Sequence, residues 1–334
     1  MKSILVTGGA GYIGSHTCIE LLNSGYDLVI IDDFSNSKYE TLDKIKKITG
    51  KNFKFYECDY KDKEALNKIF SENDIYAVIN FAGFKAVGES VVKPLEYYIN
   101  NVYGALNLLE VMKEHNVKNF VFSSSATVYG NPKVVPLKED AEVGNTTNPY
   151  GTTKYMIEVI LKDLYKSDSS WNIVILRYFN PIGAHPSHLI GEEPQGIPNN
   201  LVPYITRVAN KTLKELSVFG NDYDTIDGTG VRDYIHVVDL AIGHVKALEK
   251  IEKNEKLISI YNLGTGEGYS VLQIINTFEK VNNIKIPYKI VERRSGDIAV
   301  YLADPKKAEN ELNFKTTKTL EDMLRDAWNY QKYN

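Results

Sequence analysis

Ser3-Ile4-Leu5-Val6-Thr7-Gly8-Gly9-Ala10-Gly11-Tyr12-Ile13-Gly14 is the stretch that decides the fold. An apolar, β-branched run gives way to glycines and then to a helical pattern, so Ser3–Thr7 reads as a strand and Tyr12–Asn23 as a helix. Glycines between a strand and a helix permit a tight turn, let backbone approach a phosphate closely and pack helix on strand. The free N–H groups and dipole of the helix N-terminus favour the same anion. The second apolar run, Asp27–Asp32, ends on a carboxylate eighteen residues after Gly14. An acid there hydrogen-bonds an adenosine ribose and repels a 2′-phosphate, so the pair of features points to bound NAD rather than NADP. A glycine-rich turn without a ligand would leave Asp32 unexplained.

Outward from this unit, strands and helices keep alternating. Residues 39–48, 63–70, 94–115 and 149–165 carry helical patterns; 53–57, 77–82, 119–123 and 172–177 read as strands. Runs such as Leu28-Val29-Ile30-Ile31 and Ile173-Val174-Ile175-Leu176 are apolar on both faces, as strands inside a parallel sheet are. The expectation is an α/β fold: a doubly wound parallel sheet (Rossmann fold) of six strands with right-handed crossovers. Beyond about residue 178, segments rich in Gly, Pro and Asn (181–200, 220–230) suggest a smaller C-terminal substrate-binding domain over the carboxyl edge of the sheet. The expected division is 1–180 for the NAD-binding domain and 181–334 for the substrate domain. A helix and strand at 239–253 and 257–261 would return to the main sheet, so about 237–262 belongs with the first domain.

Composition narrows the function classes. A net charge of −4 with no basic run argues against nucleic acid and anionic membrane surfaces as partners. Cys18 and Cys58 are too few for a disulfide framework or a thiolate metal site and fit a reducing compartment. No apolar stretch reaches transmembrane length, and the start of the chain lacks the apolar core of a signal peptide, so a cytoplasmic protein is expected. The chain has 33 Lys but 6 Arg, all at or beyond Arg177. Arginine reserved for the second half suggests planar, forked recognition of an oxyanion by Arg232 and by Arg293-Arg294.

Asn148-Pro149-Tyr150-Gly-Thr-Thr-Lys154 adds a candidate base. Asn148 suits an N-cap and Pro149 the first helical position. Tyr150 and Lys154, four apart, share a helix face. An ammonium beside a phenol favours the phenolate, which can serve as a base. In a chain with 23 Tyr that spacing arises easily by chance, so its weight comes from company. Asp59-Tyr60, Phe81-Ala82-Gly83-Phe84-Lys85 and Ser123-Ser124-Ser125 all fall at carboxyl ends of expected strands, where ligands bind in such sheets. Asn100-Asn101 is a polar pair inside the helix expected over 94–115.

These residues resemble the UDP-glucose 4-epimerases of the extended short-chain dehydrogenase/reductase superfamily. The resemblance rests on 81–90, 123–130, 177–181, 194–201, 219–223, 228–236 and 261–266, and runs essentially end to end. It implies reversible inversion at C4 of UDP-galactose and UDP-glucose through a transient 4-keto sugar, in galactose metabolism, with tightly held NAD. By resemblance Tyr150 is the base, Lys154 lowers its pKa and holds the nicotinamide ribose, and Ser125 relays the proton. Gly8, Gly11, Tyr12, Ile13, Gly14, Asp32, Asn36, Ser37, Asp59, Tyr60, Phe81, Ala82, Gly83, Lys85, Asn100 and Tyr178 would line the cofactor with that trio. Tyr60 stands where a small aliphatic residue is usual and should contact adenine. Phe179, Asn180, Asn200, Leu201, Phe219, Arg232, Arg294, Asp297 and Tyr301 would hold the UDP-sugar, with Phe219 at the uracil and a bulky Tyr301 excluding an N-acetyl group. A homodimer built on the helices 94–115 and 149–165 is implied as well.

Two histidine features point elsewhere on inspection. His185-Pro-Ser-His188 lacks a Cys or carboxylate at zinc spacing, so no metal is expected, and His236 reads as a structural histidine. Of the alternatives, a 4,6-dehydratase needs an acidic pair after the catalytic hydroxyl residue, but Ala126 and Thr127 follow Ser125. A non-catalytic NAD-binding protein would have no need of Ser125, Tyr150 and Lys154 together.

Overall fold

The computed structural model describes residues 3–194, 196–253, 256–294 and 297–334; Gln195 of the 194–201 motif lies outside them. In chain order its first part runs β1 (Ser3–Thr7), α1 (Tyr12–Asn23), β2 (Asp27–Asp32), α2 (Glu40–Thr49), β3 (Lys54–Glu57), α3 (Lys63–Glu72) and β4 (Ile75–Asn80). Then come α4 (Val87–Val92), α5 (Pro94–Tyr97), a π-helical turn (Tyr98–Tyr103), α6 (Gly104–Glu114), β5 (Asn119–Ser125), a 3-10 turn (Ala126–Tyr129), α7 (Pro149–Ser167) and β6 (Asn172–Tyr178). The remainder is β7 (Asn180–Ile182), α8 (Leu201–Ala209), β8 (Leu216–Phe219), β9 (Val231–His236), α9 (Val237–Lys253), β10 (Ile258–Leu263), β11 (Gly268–Ser270), α10 (Val271–Asn282), β12 (Tyr288–Val291), β13 (Val300–Tyr301), α11 (Lys306–Leu312) and α12 (Leu320–Tyr333).

Seven strands form one parallel sheet in the order β10-β6-β5-β4-β1-β2-β3. Strand periodicity explains how both faces are buried. Ile4, Val6 and Ile30 turn toward Cys18 and Leu22 of α1 and Val245 and Leu248 of α9. Their neighbours Leu5, Val29 and Ile31 turn the other way, toward Leu66 of α3, Leu108 and Met112 of α6, and Leu161 of α7. Each fully buried Leu, Ile or Val side chain is worth about 1.5–3 kcal/mol of transfer from water. The order reverses between β1 and β4, which opens a crevice at the carboxyl edge.

The remaining strands build two small sheets, β11-β9-β13 with β7 beside β9, and β12-β8. They pack with α8, α10 and α12 around Ile205, Val218, Phe278 and Leu324. Capping boxes start α10 (Ser270 with Gln273) and α12 (Thr319 with Asp322).

The long helix expected over 94–115 is instead three segments in series, and α4 before it was not anticipated. The physical cause is Tyr60. Its buried phenol donates to the Asn100 carbonyl within the π turn, and its ring fills the space over Gly104, where a Cβ would lie 2.3 Å from Cζ. A side chain inserted into the helical ladder widens it.

Candidate active site

The glycine turn is a candidate phosphate cradle, because its backbone packs too closely for side chains. Gly8 takes φ +66°, and a Cβ there would stand 2.9 Å from the Ala82 nitrogen. A Cβ on Gly14 would stand 2.2 Å from the Gly8 carbonyl oxygen, so only glycine lets α1 start this close to β1. Asp32, buried at the tip of β2, accepts from Ala10 N (2.9 Å), Phe34 N (3.0 Å) and Ser37 Oγ (2.6 Å). Burial raises its pKa, and those three bonds draw it back. A carboxylate offers about four acceptor positions, so one remains for a ribose hydroxyl. Cradle and carboxylate together fit NAD. Asn36 is exposed in the same loop, and Tyr12 donates to the Gly183 carbonyl at 2.8 Å. Ile13 packs against the core behind the turn.

On the far side of the crevice, Thr7 Oγ1 accepts from Ala82 N (3.2 Å) and donates to Asn80 Oδ1 (2.5 Å), which fixes the chain as it leaves β4. Phe81 lies beside the His244 ring, 4.7 Å between centroids. Asn101, in the π turn, accepts from Phe84 N (2.7 Å) and donates to Phe84 O and Thr153 Oγ1, both 3.0 Å. Asn101 therefore ties the 81–84 loop to the helix that carries Tyr150; the sequence marked its pair but assigned only Asn100. Asn100 accepts from Lys61 Nζ at 2.8 Å, and Asp59 pairs with the same ammonium at 3.1 Å. Tyr60 is buried, and its hydroxyl donates to the Asn100 carbonyl. Lys85 pairs with Glu192 (3.2 Å), which also accepts from Asn200 Nδ2 (3.0 Å).

Tyr150, Lys154 and Ser125 converge where β5 ends. Asn148 caps α7 by accepting from Gly151 N at 2.8 Å. Both Tyr150 and Lys154 are buried. Ser125 Oγ accepts from Thr127 N (3.2 Å) and Thr127 Oγ1 (3.0 Å), which leaves its own proton free to donate, and it lies close enough to Tyr150 to lower the phenol's pKa. Thr127 thus sets the serine rotor, a role the sequence did not suggest. Tyr150 is set between opposing influences. Burial raises the phenol's pKa, and Ser125 beside it draws it down. The Lys154 ammonium lies 5.9 Å from the Tyr150 ring centroid and donates to the Ser123 carbonyl at 2.8 Å. Burial lowers its own pKa to about 8. Tyr178, at the end of β6, shares a 2.5 Å hydrogen bond with Ser123 Oγ.

A second group of candidates extends from this point. Tyr301 donates to the Ala126 carbonyl at 2.6 Å, next to Ser125, and its ring lies 5.6 Å from Phe179. The β9–β13 register sets Tyr301 beside Arg232, which pairs with Asp297 at 2.6 Å. Asn180 donates to the Asp233 carbonyl at 2.9 Å. Arg294 stacks 3.9 Å over Phe219, whereas Arg293 is taken up by Asp222 at 2.6 Å. Leu201 opens α8 just after Asn200. His236 is buried; its Nδ1 accepts from Val238 N at 3.0 Å and Nε2 faces Asp326 at 3.3 Å.

A Tyr-x-x-x-Lys helix and a serine at a strand end, set over a dinucleotide turn, define the extended short-chain dehydrogenase/reductases. Residues 5–327 match the family described as GDP-mannose 4,6 dehydratase. A UDP-glucose 4-epimerase of Haemophilus influenzae is 62% identical over 99% of this chain and 98% of its own length. The human UDP-glucose 4-epimerase is 55% identical over 100% of this chain and 97% of its own. The crystal structure of the Bifidobacterium longum enzyme in complex with NAD+ and UDP superposes with a TM-score of 0.96 at 55% identity, covering 100% of this chain and 99% of that one. The chain belongs to the UDP-glucose 4-epimerase family.

Proposed function

We propose that this protein interconverts UDP-galactose and UDP-glucose by inverting C4 through a 4-keto sugar, with NAD kept in place between turnovers. NAD, when bound, accepts the C4 hydride and returns it. Tyr150 removes the 4-hydroxyl proton as the ketone forms and gives it back on reduction, with Ser125 hydrogen-bonded to the phenol. Lys154 holds the cofactor ribose. The observation that supports this reading is the convergence of Tyr150, Ser125 and Lys154 at the end of β5, beside the glycine cradle and Asp32.

Inversion requires a firm grip on the nucleotide and a loose one on the sugar, so that the keto sugar can present its other face. Residues 1–180 with 237–262 hold NAD, and 181–334 otherwise hold the UDP-sugar. Phe219 and Arg294 take the uracil end; Arg232, Asn180, Asn200, Leu201 and Asp297 take the ribose and pyrophosphate. Phe179 and Tyr301 wall the sugar, and Tyr301, held through its hydroxyl, is the bulky group that would exclude an N-acetyl substituent. A dehydratase reading lacks its acid and base, since Ala126 and Thr127 carry neither.

The protein works in the cytoplasm, in galactose metabolism, as a homodimer. Both cysteines are free, and among the described residues no helix is long and apolar enough to cross a membrane. Val92 and Leu95 are 80% and 75% exposed, and Val91, Ile99, Tyr103 and Met156 extend that apolar face along the helices of α4–α7. A second copy would cover it across an isologous interface, and light scattering that shows a monomer at micromolar concentration would contradict this. The activity itself is tested by converting UDP-galactose to UDP-glucose without added NAD or NADH. Tyr150→Phe is expected to lose several orders of magnitude in kcat, on the order of a missing general base or more, with UDP binding intact. Normal turnover by that variant refutes the assignment.

A further inference from the structure

Three successive turns of α7 each engage one residue of the triple serine at the end of β5. Tyr150 meets Ser125, Lys154 meets the Ser123 carbonyl at 2.8 Å, and Glu158 accepts from Ser124 Oγ at 2.7 Å. Positions 150, 154 and 158 lie on one helix face, so the three contacts act as rungs between helix and strand. The third rung is the anchored one. Glu158 is fully buried and accepts from Arg177 Nε (2.9 Å) and Nη2 (2.6 Å). Arg177, on β6, continues to the Tyr129 hydroxyl at 3.0 Å and the Glu139 carbonyl at 3.1 Å. The network thereby grips both sides of Ser125: Ser124 before it and the 3-10 turn after it.

Stability alone gives little reason for such a pair. Desolvating two charges costs several kcal/mol each, and apolar residues of similar volume commonly serve as well or better. What an ion pair with forked geometry does supply is a fixed register. We infer that Glu158, held by Arg177, is a positioning residue that sets the register of α7 against β5 and so fixes the Tyr150–Ser125 contact. This rests on the reading of Tyr150 as the base. The consequence reaches beyond packing, because Ser125 is a group that draws the buried phenol's pKa down. The groups that face Tyr150 are Ser125, Lys154 and the phenols of Tyr97 and Tyr178. Of these, Ser125 and Lys154 sit on rungs of the ladder.

The test compares Ser124→Ala, which cuts the rung and leaves the ion pair intact, with the paired replacement Glu158→Met and Arg177→Met, which leaves no charge unpaired. UDP-galactose turnover is followed across pH in the NAD-loaded enzyme, beside UDP affinity and a Tyr150→Phe control. A slipped register is expected to lower kcat roughly ten- to a hundredfold, with KM and UDP affinity unchanged. The acid limb of the kcat profile moves to higher pH, because a phenol without its serine must be deprotonated from a higher pKa. Ser124→Ala decides the question even if the paired variant fails to fold. An acid limb unmoved in Ser124→Ala beside an inactive Tyr150→Phe overturns the positioning role alone. Normal turnover by Tyr150→Phe overturns the base, and the inference with it.

Discussion

Replacing Lys154 by methionine makes the electrostatics of the site measurable without substrate. The ammonium is buried, donates to the Ser123 carbonyl at 2.8 Å and lies 5.0 Å from the Phe122 ring centroid. Burial lowers its pKa from 10.5 to about 8. Below about pH 8 the folded and unfolded chains both hold the proton. Between that point and about pH 10.5 the folded chain has released it and the unfolded chain has not, so stability rises with pH. A fall from 10.5 to about 8, at roughly 1.4 kcal/mol per pH unit, amounts to about 3 kcal/mol. That increment is complete above the unfolded pKa and lost as pH falls through the folded one. Urea unfolding of NAD-free wild type and Lys154→Met, at about pH 7.5 and about pH 10, isolates it because the other titrating groups are common to both. The stability of wild type relative to the variant should grow by up to about 3 kcal/mol over that interval. A difference that stays flat with pH would refute the buried, cation-destabilising setting of Lys154.

Two further outcomes follow from named contacts. Asp32→Asn removes the charge proposed to face the cofactor ribose, and a hydrogen bond to a charged group is worth roughly 1.5–3 kcal/mol. Titration calorimetry should show NAD affinity reduced about ten- to a hundredfold and the preference over NADP narrowed; unchanged discrimination would contradict that role. Tyr301→Ala removes the 2.6 Å bond to Ala126 and the ring beside Phe179. It should raise kcat/KM on the N-acetylated UDP-sugar pair, relative to UDP-glucose and UDP-galactose, by roughly tenfold or more. Comparable kcat/KM values for the wild type on both pairs would contradict the wall.

The main sheet was legible because its strands are apolar on both faces and its turns carry glycine, cues that are local in sequence. The π turn was not, since it depends on Tyr60 inserting from about forty residues away. The Tyr150–Lys154 face could be read from helical spacing, but the sign of the phenol's shift could not. It depends on burial and on Ser125 being carried to the phenol by another element of the fold. Glu158 repeats the four-residue step from Lys154, yet only the folded chain brings Ser124 and Arg177 to it. Among the arginines, scarcity suggested ligand recognition. The structure divides them: Arg232 and Arg294 stand with the candidate nucleotide contacts, Arg293 binds Asp222, and Arg177 is committed to the interior.

In the proposed cycle C4 is oxidised and reduced within one turnover on a cofactor that never leaves. The most direct test is the nucleotide content of the protein after gel filtration, measured on the same sample that is assayed without added NAD. About one NAD per chain and full conversion activity are expected. A nucleotide-free protein that turns over only when NAD is supplied, or one that accumulates NADH in proportion to product, would contradict it.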